Sequence, residues 1–86
     1  MDIHFTKHAK GQLKERGLSE EIVVETLLNP EQAFSQEPDV FVSQRRYKLK
    51  GKEYLLRVAS KRKGEILTVL TAYRTSRISK YWRYDL

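Results

Sequence analysis

Residues 53–75 read EYLLRVASKRKGEILTVLTAYRT, and this stretch decides the fold class. Tyr54, Leu56 and Val58 fall on one parity and Leu55, Arg57 and Ala59 on the other, so Glu53–Ser60 has the two-residue period of a strand. The charged turn Lys61-Arg62-Lys63-Gly64 then reverses the chain into Ile66–Tyr73, which is apolar on both parities, as a central strand covered by helices requires. Its opposite face carries Thr68 or Thr71, depending on register.

Upstream, turn signals at Glu37-Pro38-Asp39 and Lys50-Gly51-Lys52 cut out a further strand, Val40–Leu49, with Phe41, Tyr47 and Leu49 on one parity. Before Ala33 the period is helical. Thr6 stands where an N-cap belongs, Lys7–Arg16 holds no proline or β-branched residue, and Gly17 takes the place of a left-handed C-cap. Ser19 caps a second helix, Glu20 and Glu21 complement the positive end of its dipole, and Pro30 forbids its continuation. Its buried face is Ile22, Val23, Thr26 and Leu27, which leaves the acidic Glu21, Glu25 and Glu31 in water. A link as short as Gly17-Leu18 makes the two helices an αα-hairpin. Asp2–Phe5 is either a first strand or a lead-in, and Ser76–Tyr84 reads as a short helix capped by Ser76, with Ile78, Tyr81 and Trp82 packed back on the sheet. The expected fold is α+β: one domain over residues 1–86, an N-terminal helical hairpin packed on a three- to four-stranded antiparallel sheet, and a short C-terminal helix or tail.

A chain of 86 residues buries only about 60% of its unfolded surface, enough for one core. Without cysteine there is neither a disulfide framework nor a thiolate metal site. No apolar run is long enough to span a membrane, and the charged start MDIHFTKHAK lacks a signal peptide's apolar region, so a cytoplasmic protein is expected. The net charge of +6 is unevenly spread. Residues 1–43 hold 4 basic and 8 acidic groups, net −4, whereas residues 44–86 hold 13 basic and 3 acidic, net +10. That basic half is either a solvated face or a phosphate-binding surface.

The chemistry is narrowed by what is missing. His4 and His8 lie four apart, but His4 precedes the helix and no third ligand is near, so no metal and no other cofactor is expected. In the strand half Glu53 and Glu65 sit at turn edges and form no acid–base pair. What remains is a mixture of cations and aromatics on consecutive strands: Arg45, Arg46 and Tyr47, then Arg57, Lys61, Arg62 and Lys63, then Tyr73, Arg74 and Arg77, then Tyr81, Arg83 and Tyr84. Arginine grips phosphate through paired hydrogen bonds and aromatic rings stack on unpaired bases, a combination suited to single-stranded RNA. Read the other way, Tyr47, Tyr54, Tyr73 and Trp82 are core residues with wet polar tips. Arg57 breaks an otherwise apolar run, and a charge inside a sheet is costly unless it faces a groove or a partner. Arg74 ends its strand beside Tyr73.

Two stretches, FTKHAKGQLKERGLSEE (5–21) and YLLRVASKRKGEILTVLTAYRTSRISKYW (54–82), carry a family likeness. The chain resembles the RelE/ParE superfamily of toxin-antitoxin toxins, which includes the BrnT-like ribonucleases. In the first stretch His8, Ala9, Arg16 and Gly17 match the pattern; in the second, the arginine in the penultimate strand, the arginine ending the last strand and the tyrosine in the tail. The resemblance implies a RelE-like fold and the toxin of a toxin-antitoxin pair, a metal-independent endoribonuclease in which the 2′-hydroxyl of an mRNA attacks the adjacent phosphorus. Arg57 would bind phosphate, Arg74 would stabilise charge at the scissile phosphate, and Tyr81 would stack on a base or help proton transfer. His8 is a candidate base. Lys7, Arg45, Arg46, Lys61, Arg62, Tyr73 and Arg77 would bind RNA, either free or on the ribosome, and the partner would be an acidic antitoxin that wraps the basic face. The strands lack the lysine cluster of ribosome-dependent members, with Lys48, Lys50 and Lys52 near a turn. Two other readings stand beside it: a binding module for nucleic acid or acidic protein that does no chemistry, and a ParE-like topoisomerase inhibitor.

Overall fold

The computed structural model describes residues 1–86. The chain runs β1 (Asp2–Phe5), α1 (Lys7–Arg16), α2 (Glu20–Leu28), β2 (Gln32–Glu37), β3 (Val40–Leu49), β4 (Lys52–Lys63), β5 (Ile66–Thr75) and α3 (Ile78–Tyr81). The strands form one five-stranded sheet in the order β1-β5-β4-β3-β2. Strands β2 to β5 meander antiparallel, and β1 lies parallel to β5 with Asp2 opposite Ile66 and Phe5 opposite Val69. The sheet is therefore mixed, which corrects the expectation of three or four antiparallel strands.

The local signals that begin and end the first two helices lie where the side chains placed them. Thr6 Oγ1 accepts from the Ala9 N–H at 2.9 Å, Ser19 Oγ accepts from the Ile22 N–H at 3.2 Å, and Gly17 closes α1 at φ +66°. The two helices do not form a hairpin. β1 and β2 occupy opposite edges of the sheet, so the segment between them has to cross one whole face. α1 lies on β5 and β1, α2 lies on β3 and β4, and the apolar stripe of each points at the sheet and not at the other helix. At the far end Ser76 caps nothing: α3 is a single turn preceded by Arg77, with no side-chain cap.

The core fills the space between the helices and this face. Ala9, Leu13, Leu18 and Val23 meet Leu56 and Val58 of β4 and Val69 and Ala72 of β5. Register puts the intervening residues on the other face, where Gln44, Arg57 and Tyr73 stand side by side across β3, β4 and β5, and Val42, Ala59 and Thr71 form the next row. A bulge between Ala59 and Ser60, where β5 carries one extra residue, bends the sheet at that row. Neither α1 nor α2 covers this second face; the C-terminal segment, with the short α3, crosses one end of it.

Leu56 is fully buried beneath both helices. Leu56→Ala is expected to cost about 2–5 kcal/mol. The check is a urea titration, in which the midpoint falls while the slope stays unchanged.

Candidate functional site

Arg57 is the centre of the open face. Its strand places it between Gln44 and Tyr73, and both neighbours hold it: Nε donates to Gln44 Oε1 at 3.0 Å and Nη1 donates to the Tyr73 hydroxyl at 2.5 Å. The guanidinium lies 4.4 Å from the centre of the Tyr81 ring and 5.7 Å from that of Tyr73, within cation–π range of each. The two rings meet edge to face at 6.3 Å. No carboxylate accompanies this half-buried charge, since the chain's ion pairs are Arg45–Glu25, Arg46–Glu31 and Arg83–Asp85. A guanidinium has five N–H groups; two are engaged here, which leaves three for an anion.

The structure thus brings together Arg57, Tyr73 and Tyr81, with Lys61 further along the same side of β4. It separates the other expected catalytic residues from them. Arg57 is paired with Tyr73, so Arg74, one residue on, pairs with Leu56 and points to the helix side, where its guanidinium lies 5.6 Å from the Tyr54 ring. His8 is exposed on α1, across the sheet from Arg57. Among the residues expected to bind RNA, Arg45 reaches back to α2 and donates to the Asn29 carbonyl at 2.8 Å, satisfying an orphan group at the helix end. Arg46 forms a forked pair with Glu31, with Nη2 3.0 Å from Oε2, and covers the Trp82 ring at 4.6 Å. Arg62 Nε bonds the Gly64 carbonyl in its own turn. Lys7 is exposed at the start of α1, and Arg77 is exposed just before α3.

The sequence reading missed the residues that build the site. Gln44 is fully buried, and its amide is fully used: Nε2 donates to Gln32 Oε1 at 2.7 Å and to the Tyr81 carbonyl at 3.1 Å, while Oε1 receives Arg57. Gln32 in turn clasps the backbone of Arg83 from both sides, donating to its carbonyl at 2.6 Å and accepting from its N–H at 2.9 Å. Two glutamine side chains therefore pin the tail so that Tyr81 lies over Arg57. A glutamine between Ser43 and Arg45 in a strand reads as a surface residue; the signal that marks it is its parity, shared with Val42 and opposite to Arg45. On the far side of the site Arg16 donates to the Ala72 carbonyl at 2.7 Å, and Gln12 receives the Thr71 hydroxyl, so α1 closes the edge of β5 that β1 is too short to reach.

The surrounding ion pairs hold their carboxylates in the charged form. Hydrogen bonds from Arg46 keep Glu31 below its ordinary range, and the Arg83 guanidinium holds the fully exposed Asp85 carboxyl at about 2. A carboxyl lowered in the folded state contributes stability above its ordinary pKa and loses it as the pH falls through the folded value. Both contributions are therefore present at neutral pH and fade in acid.

The family described as a domain of unknown function, DUF4258, matches residues 5–74. No curated protein and no solved structure matches the chain.

Gln32→Ala is expected to release the tail. Trp82 emission shifts to the red, its quenching by acrylamide rises, and stability falls by about 1–3 kcal/mol because Gln44 and the Arg83 backbone lose partners. By NMR, the Asp85 side-chain carbon titrates with a midpoint at about 2 in the intact protein. A midpoint at the ordinary value of 3.8 would show that the Arg83 pair does not form in solution.

Proposed function

The chain belongs to the DUF4258 family, and we propose that its open sheet face binds single-stranded RNA and cleaves it without a metal, as the toxin of a toxin-antitoxin pair. The observation that carries this reading is Arg57, a half-buried cation with no carboxylate, three unengaged donors and two tyrosines fixed against it. A phosphodiester oxygen fits those donors. The attacking group is the RNA's own 2′-hydroxyl: its oxygen bonds to phosphorus as its proton passes to solvent water, the bond to the 5′-oxygen breaks with a proton taken from a phenol that solvent then restores, and the products are a 2′,3′-cyclic phosphate and a free 5′-hydroxyl. Arg57 stabilises the charge that gathers on the phosphoryl oxygens. The Tyr73 oxygen accepts from Arg57, which leaves its own proton free for the departing 5′-oxygen. Tyr81, at the end of the pinned tail, is the ring on which a neighbouring base stacks. The basic second half of the chain draws in the RNA, and the partner that would silence it is an acidic antitoxin segment laid over the same face. This reading places the protein in the cytoplasm.

One observation favours a second reading, binding without chemistry. Neither His8 nor Arg74 shares the face of Arg57, and the phenols are the only proton-transfer groups beside it.

The test is tightly induced expression of the wild type and of Arg57→Gln, with mapping of new RNA 5′ ends and, on the purified proteins, anisotropy of a labelled single-stranded RNA. Growth arrest with discrete new ends that fall at least about a hundredfold in the variant is the expected result. Tight RNA binding with intact cellular RNA identifies the binding module, and arrest with intact RNA and induced DNA damage points to a topoisomerase target. Absence of RNA binding by the wild type overturns the proposal.

A further inference from the structure

Next to Arg57, one row further along the sheet, lies a pocket of about 170 Å³ whose lining includes Gln36, Val42, Ala59, Thr71 and Tyr73 as well as Arg57 itself. It exists for local reasons. Ala59 is the smallest side chain in its row, flanked by Val42 and Thr71, and the bulge at Ala59/Ser60 bends the strands around it. The Thr71 hydroxyl is already engaged, donating to Gln12 and accepting from Arg16 at 3.4 Å. The pocket has an apolar floor, a phenol at one side and a guanidinium with unused donors on its rim.

We propose that this pocket receives one base of the bound RNA, next to the phosphate held by Arg57, a proposal that rests on the RNA reading above. Size is the first argument. Sites that enclose a drug-sized ligand run to roughly 300–1,000 Å³, so this one suits a single planar ring system and not a whole nucleotide or a peptide side-chain cluster. Spacing is the second. The rows of Arg57 and Ala59 are two residues apart along β4, roughly 7 Å, which lets one nucleotide set its phosphate on the first row and its base on the second. Chemistry is the third: a flat, weakly polar body carrying an adjacent anion is what an apolar floor beside a cation selects. Gln36 is exposed at the rim, where an amide that both donates and accepts can read the edge of an unpaired base.

The probes are a labelled oligoadenylate and an abasic ribose-phosphate oligomer of the same length, titrated by anisotropy into the wild type and into Ala59→Leu. The wild type is expected to prefer the oligoadenylate by about a hundredfold, the scale of one base in the pocket and one on Tyr81. In Ala59→Leu, whose leucine fills the pocket while Arg57 and Tyr81 are untouched, that preference falls about tenfold, to what the base on Tyr81 supplies. Equal affinity of the wild type for the two oligomers overturns the pocket but leaves RNA binding in place. Retention of the full preference by a folded Ala59→Leu overturns it as well. Failure of the wild type to bind either oligomer overturns the RNA reading and the pocket with it. The wild-type comparison needs no variant, so the proposal stays open to refutation even if Ala59→Leu does not fold.

Discussion

A single buried amide holds the functional half of this protein together. Gln44 sits on β3 in the middle of the sheet and makes three hydrogen bonds, one to each of three separate parts of the chain: the β2 edge strand at Gln32, the β4 strand at Arg57 and the tail at Tyr81. A buried amide with every group paired is inexpensive to keep, whereas one left unpaired is costly, so the three partners are coupled. If the tail leaves, Gln44 loses an acceptor and Arg57 loses the ring above it. The position of the guanidinium is thus a property of the network and not of its own strand alone.

This arrangement is possible because the two sides of the sheet do different work. The segment joining the edge strands β1 and β2 crosses one face as two separate helices and supplies half of the buried core there, the other half coming from β4 and β5. The other face is covered by neither α1 nor α2, and there Arg57 and Tyr73 stand half-buried beside each other. Charge follows the same division. The glutamates of α2 and the following loop are turned to account locally, Glu25 and Glu31 neutralising Arg45 and Arg46, whereas Arg57 in mid-sheet has no acid within reach. Arg45, Arg46 and Arg83, which look available in the composition, are paired with carboxylates inside the fold, whereas Arg57 has none.

Some of this was legible residue by residue. The caps at Thr6, Gly17 and Ser19 act on backbone groups within a few positions, so sequence alone marked where α1 and α2 begin and where α1 ends. Strands β3 and β4 declared themselves by alternation and β5 by an apolar run, each bounded by turns, and the Lys50-Gly51 turn carries positive φ at both positions, as in a tight two-residue hairpin. Strand β2 did not. Gln32–Glu37 holds one large apolar residue, Phe34, and is a strand because β3 offers it a partner. Arg57 stood out because it interrupts an apolar run, while Gln44 did not, because a glutamine beside Ser43 and two arginines resembles any exposed strand.

The amino-acid sequence by itself determined the local elements, the basic second half and the unusual place of Arg57. These depend on neighbours a few positions apart, where side-chain period and capping chemistry act directly. Only the tertiary structure decided that β1 pairs parallel with β5, that the helices lie apart on one face, and that Arg57 meets Tyr73 and Tyr81 while Arg74 and His8 are turned away. Each of those outcomes hangs on strand register and on contacts between distant segments. In a sheet a shift of one residue moves a side chain to the opposite face, and β5, apolar on both parities, has no alternation to fix that choice for Tyr73 and Arg74.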